Sequence, residues 1–219
     1  MQNKVIETIL KEKVIVIVRG VAHKDLLPLA QAMYRGGIRL IECTYDAKGI
    51  IPDEEIAGHI GMLAEHFGGD MLVGAGTVLT ERQVELTRQV GGTFIISPDT
   101  NPDIIRATRE RGLVSIPGAL TPSEITLAHR SGADFVKLFP VFTMGAEYVK
   151  AVKAPLSHVR LLAVGGVNET NLGDYLKAGA CGFGIGSNII NKKMIAEGDW
   201  DGITRLAEEF LAAVEKAQA

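Results

Sequence analysis

Eight short apolar runs, each followed by an amphipathic stretch, divide this chain from end to end. The runs are VIVIVR (14–19), LIECT (40–44), LVGAGT (72–77), FIISP (94–98), VSIPGA (114–119), FVKLFP (135–140), RLLAVGG (160–166) and GFGIGS (182–187). Segments such as DLLPLAQAMYRGG and TPSEITLAHRSG lie between them with helical periodicity, and several end in glycine, the usual residue beyond a helix C-terminus. Runs apolar on both faces and separated by helices are parallel strands covered by helices. Eight such βα units in 219 residues predict an α/β fold, a (β/α)8 TIM barrel. The opening MQNKVIETILKEK is expected to form an N-terminal capping helix. An open doubly wound sheet would require a Gly-rich turn after its first strand, and VRGVAHKD supplies one glycine. No linker or low-complexity tract interrupts the pattern, so one domain spanning 1–219 is expected.

The net charge of −3 gives no electrostatic footprint for nucleic acid or an anionic membrane. VIVIV is too short to span a bilayer, and no cleavage signal follows the first helix, so a cytoplasmic setting is expected. Cys43 and Cys181 read as free buried thiols, and Lys192 and Lys193 as a solvated face. His23, His59, His66, His129 and His158 fall in helical or loop segments without ligand spacing, which predicts no metal site.

In a barrel of this kind chemistry sits where strands end and βα loops begin. The residues there are Arg19, Glu42, Thr44, Thr77, Pro98, Pro117, Lys137, Gly165, Gly166, Gly186 and Ser187. Lys137 stands out because apolar residues flank it on both sides. Strand alternation places Phe135, Lys137 and Phe139 on one face, with Val136 and Leu138 on the other. An amine in a low-dielectric interior loses its proton more readily and can attack a carbonyl. A snorkelling lysine at a strand end is the other reading. Glu42, inside the second strand, is suited to general acid/base work beside such a lysine, or to an ion pair with Arg19 or Lys137. AVGGV and GFGIGS end the last two strands, where barrels commonly bind phosphate through backbone N–H groups; tight turns alone would also call for glycine.

With these residues in place, the chain resembles the class I 2-keto-3-deoxy-6-phosphogluconate (KDPG) and 4-hydroxy-2-oxoglutarate (KHG) aldolases over nearly its whole length. The resemblance rests on GGIRLIECT, GAGTVLT, FIISPDTNPDII, IPGALTPSE, VKLFP, VGGVNETNL and GIGSNII, in that order. It implies that Lys137 forms a Schiff base with pyruvate, that Glu42 transfers protons and that Thr77 lies beside the keto acid. Pro98, Phe139 and Val164 would complete the substrate site. Gly165, Gly166, Gly186 and Ser187 would hold a phosphate, with Arg19 near it. The implied activity is cleavage of a phosphorylated keto-deoxy sugar acid to pyruvate and glyceraldehyde 3-phosphate, without a cofactor, in a homotrimer. Cleavage of 4-hydroxy-2-oxoglutarate is a further activity of such enzymes. Two departures, Asp46 in place of an arginine and Val164 within AVGG, resemble the 2-keto-3-deoxy-6-phosphogalactonate (KDPGal) branch. Asp99 is a third oddity, and with Asp46 it is expected to bring negative charge to the mouth. A metal-free sugar-phosphate isomerase or epimerase, and a non-catalytic phosphate-binding barrel, are the readings of another class.

Overall fold

The computed structural model describes residues 2–218; Met1 and Ala219, the ends of the expected span, lie outside the described residues. Nine parallel strand segments form one sheet: β1 (Val14–Val18), β2 (Leu40–Thr44), β3 (Leu72–Gly76), β4 (Phe94–Ile96), β5 (Val114–Ile116), β6 (Gly118–Ala119), β7 (Val136–Leu138), β8 (Leu161–Val164) and β9 (Gly182–Ile185). Their spatial order is β5-β4-β3-β2-β1-β9-β8-β7-β6. The two edge segments, β5 and β6, are separated in the chain by Pro117 alone, so the sheet closes on itself as an eight-unit (β/α) barrel.

The expected single strand over 114–119 is therefore split. Pro117 has no N–H to donate to a ladder, and the chain changes partner there. Its first half pairs with β4 and its second with β7. The Pro117 carbonyl still accepts the Lys137 N–H at 2.8 Å, which fixes the height of that lysine in the barrel. Close approach at this seam explains Gly118, where a Cβ would collide with the Pro98 carbonyl.

Helices alternate with the strands: α1 (Gln2–Glu12), α2 (His23–Arg35), α3 (Asp53–Phe67), α4 (Glu81–Gln89), α5 (Pro102–Glu110), α6 (Pro122–Arg130), α7 (Gly145–Lys153), α8 (Leu172–Lys177), α9 (Lys192–Glu197) and α10 (Trp200–Gln218). Alternating strand side chains feed two apolar layers. Val16, Ile41, Val73, Val136 and Leu161 pack outward against the helices. Ile15, Leu40, Leu72, Phe94, Val114, Phe135 and Leu162 fill the interior, and Val5 and Ile9 of α1 close its lower end as the expected capping helix. Two residues further along three of these strands the interior changes character: Leu40 is succeeded by Glu42, Phe135 by Lys137 and Leu72 by Gly74. The apolar floor ends there, and room for a ligand begins.

Candidate active site

Lys137 lies at the centre of β7, in register with Gly118 on one side and Leu162 on the other. It is 7% exposed, and its Nζ sits 4.6 Å from the centroid of the Phe139 ring. Glu42, 2% exposed, occupies the middle of β2 between Ile17 and Gly74. The Thr44 hydroxyl donates to Glu42 Oε1 at 3.3 Å, and Oε2 has no hydrogen-bond partner among the described residues. Burial pushes the Glu42 pKa up, against the opposing influences of Lys137, Thr44 and Arg19. Burial likewise pushes Lys137 down, opposed by Glu42 and reinforced by Arg19. Both shifts favour the neutral forms, an amine able to add to a carbonyl beside a carboxyl able to give or take a proton.

Glycine makes the room for this pair. A Cβ at Gly76 would fall on the Glu42 carboxylate, and one at Gly74 on the Phe94 ring. Immediately beyond, Thr77 adopts φ +55°, an outlier for a β-branched residue. Its hydroxyl accepts from Arg19 Nη2 at 3.0 Å. On the opposite wall, Gly165 and Gly166 take φ +94° and +74°. The Asn171 amide donates to the Gly166 carbonyl at 2.9 Å. Asn188 donates to the Val167 carbonyl at 2.6 Å, tying the loop after β9 to the loop after β8.

One cleft of about 690 Å³ brings these groups together. Lys137, Glu42, Arg19, Thr77, Pro98, Phe139, Val164, Gly165, Gly166, Gly186 and Ser187 all line it. Asn188 and Lys192 line it too, although neither carried a signal in the sequence; Lys192 belongs to the cleft wall as well as to the solvated face.

The two acidic departures behave differently from the expectation. Asp46 accepts the backbone N–H groups of Lys48, Ile50 and Ile51 at 2.9–3.1 Å, so its carboxylate organises its own loop. Those bonds hold its pKa below the usual carboxylate range. It borders a neighbouring cavity of about 590 Å³, while Asp99 is exposed and lines neither cavity. His59 is buried rather than solvated, stacked on His23 with ring centroids 4.9 Å apart. Both cysteines are free; Cys43 is buried and Cys181 half-buried. Among the described residues no helix is long and apolar enough to cross a membrane, and no three His, Cys, Asp or Glu side chains converge as metal ligands.

A parallel barrel with a desolvated lysine inside, a buried carboxyl beside it and glycine turns after the last two strands defines the class of the lysine-dependent carbon–carbon lyases. The KDPG and KHG aldolase family matches residues 5–206, and the chain belongs to that family. A 2-dehydro-3-deoxy-phosphogluconate aldolase of Haemophilus influenzae is 31% identical, covering 97% of this chain and 98% of its own. A 2-dehydro-3-deoxy-6-phosphogalactonate aldolase of Escherichia coli is 33% identical over 82% of this chain and 85% of its own. Among solved structures, a KDPG aldolase of Legionella pneumophila with pyruvate captured as a covalent carbinolamine superimposes with a TM-score of 0.83. It shares 29% identity, covering 93% of this chain and 96% of its own. A native KDPGal structure gives the same TM-score at 30% identity, over 94% and 95% of the two chains.

Proposed function

We propose that the protein cleaves a 2-keto-3-deoxy-6-phospho sugar acid of the KDPG type to pyruvate and glyceraldehyde 3-phosphate through an imine on Lys137. The observation that carries this reading is the buried Lys137–Glu42 pair at the floor of the cleft. The Lys137 amine adds to the C2 carbonyl, and the neutral Glu42 carboxyl protonates the departing hydroxyl, which leaves as water and gives an iminium beside the Glu42 carboxylate. Glu42 takes the C4 hydroxyl proton, the C3–C4 bond breaks, and its electron pair flows into the iminium to give an enamine. The aldehyde leaves. The proton held by Glu42 returns to C3, and water hydrolyses the imine to free pyruvate and Lys137.

Arg19 is bonded to Thr77, and its charge acts on both Glu42 and Lys137. That placement supports a carboxylate-holding role for Arg19 and Thr77 at the keto-acid end of the substrate. Phe139, over Lys137, and Pro98 and Val164 shape the walls. The backbone around Gly165, Gly166, Gly186 and Ser187 receives the phosphate. One domain and a cytoplasmic setting, expected from the residue pattern, and a homotrimer, which rests on the resemblance, belong to the same reading.

Val164 on the cleft wall, and the absence of an arginine at position 46, favour a second substrate, the galactonate epimer, through the resemblance to that branch. 4-Hydroxy-2-oxoglutarate, cleaved to pyruvate and glyoxylate, is a further candidate substrate. Borohydride reduction in the presence of pyruvate, followed by sequencing of the modified peptide, tests the chemistry. A reduced pyruvyl adduct on Lys137 is expected, with no turnover in Lys137→Ala. Turnover retained in that folded variant overturns the mechanism. The ratio of kcat/KM for the two epimers decides between the substrates.

A further inference from the structure

The cleft has an uneven charge distribution. Its ionisable lining residues are Arg19, Glu42, Lys137 and Lys192, one acid against three bases in a chain whose net charge is −3. Arg19 is engaged by Thr77 at 3.0 Å, and Lys137 is buried at the floor. Lys192 is the cation without an assignment, and it lines the same cleft as Gly165, Gly166, Gly186 and Ser187.

The route of the chain explains why it is there. After β9 the backbone turns back on itself, with the N–H groups of both Ile189 and Ile190 donating to the Gly186 carbonyl at 3.0 Å. Ile189 and Ile190 are buried, which anchors the turn, and the Asn188 amide ties it to Val167. Asn191 then caps α9 by accepting from the N–H groups of Lys193 and Met194. Lys192 is therefore carried by the same short segment that presents Gly186 and Ser187. Its neighbour Lys193 lies 4.0 Å from Glu197 on the outer surface and does not line the cleft.

We propose that Lys192 is the side chain that binds the substrate's phosphate, completing with an ammonium a subsite otherwise made of backbone donors and neutral side chains. This rests on the phosphorylated-substrate reading above. Backbone N–H groups supply partial charges only, whereas a phosphate dianion is held more strongly by a charge-assisted hydrogen bond. The flexible stem also lets Lys192 reach the phosphate from the rim. The residue thereby separates phosphorylated from unphosphorylated keto acids, which present identical groups to Lys137.

The test is calorimetric titration of the full chain with inorganic phosphate, comparing the parent with Lys192→Met, Lys192→Arg and Lys193→Met. Lys192→Met is expected to weaken phosphate about tenfold, the equivalent of about 1.4 kcal/mol. Lys192→Arg should retain most of the affinity, and Lys193→Met should match the parent. In parallel, the kcat/KM ratio of the phosphorylated acid to 4-hydroxy-2-oxoglutarate should fall by a similar factor in Lys192→Met. Equal weakening by both methionine variants, an unchanged affinity in Lys192→Met, or no phosphate binding by the parent overturns the assignment. Failure to trap pyruvate on Lys137 overturns the aldolase reading instead, and leaves the phosphate titration as an independent result.

Discussion

Substituting Gly76 by alanine removes no ionisable group from the cleft but moves one of them. A methyl group at this position overlaps both carboxylate oxygens of Glu42, which is buried between β1 and β3 and cannot swing into solvent. Overpacking of a close-packed interior destabilises by about 1–3 kcal/mol. The overlap here meets the far end of one flexible side chain, so the lower part of that range applies. For a protein of this size that corresponds to a fall in Tm of roughly 3–5 °C. The effect on rate is larger, because a carboxylate displaced by about 1 Å from its working position lowers turnover by about 100-fold. Thermal unfolding and steady-state release of pyruvate measure the two effects separately. Repeating the substitution in a Glu42→Asp background, whose shorter side chain leaves space for the methyl, should shrink the penalty of Gly76→Ala. Parental turnover in Gly76→Ala, or the same penalty in both backgrounds, refutes the reasoning.

Replacing Lys137 by methionine takes away the strongest influence holding Glu42 down, so the Glu42 pKa should rise further above its ordinary 4.5. A folded-state pKa above the unfolded one means that the folded protein keeps a proton the unfolded chain has released; stability therefore falls as pH rises from about 4.5 through the folded value. Tm measured against pH should show this fall extending to higher pH in Lys137→Met than in the parent, and it should vanish when Glu42→Gln is added. Thr77→Gly and Thr77→Ala both delete the hydroxyl that accepts from Arg19, but only glycine is at ease at φ +55°. The glycine variant should be the more stable by about 1 kcal/mol in thermal unfolding, with the same loss of pyruvate affinity in both.

The barrel was legible because parallel strands covered on both sides leave apolar runs, and eight of them without a Gly-rich first turn favour closure over a doubly wound sheet; Lys137 was legible because an ammonium flanked on both sides by apolar residues is costly to bury. Pro117 was visible as a residue, but its consequence depends on strand closure: only when β4 and β7 arrive from opposite sides does a missing N–H become a change of partner. Gly76 is similar. Its neighbour Glu42 is more than thirty residues distant in sequence, and their contact is created by the pairing of β2 with β3, in which Gly76 itself sits opposite Thr44. Asp46 misleads for the opposite reason. A carboxylate near a strand end suggests a long-range role, whereas three local N–H groups claim it once the loop is folded. Lys192 was hidden by its own chemistry, since a basic residue in a polar segment is what any solvated surface contains.

The helix that closes the floor has an awkward history in the cell. α1 precedes in the chain every strand it packs against, β2, β5 and β9, and the last of these is synthesised some 170 residues later. Through most of translation, then, Val5 and Ile9 have only part of their final surroundings, and the apolar stripe of α1 must be kept from other partners until the ninth segment is available. The seal is made well before its seat is complete. A chain halted before residue 182 is left with a stopper and no complete neck to receive it, which makes such fragments natural clients for chaperones and proteases.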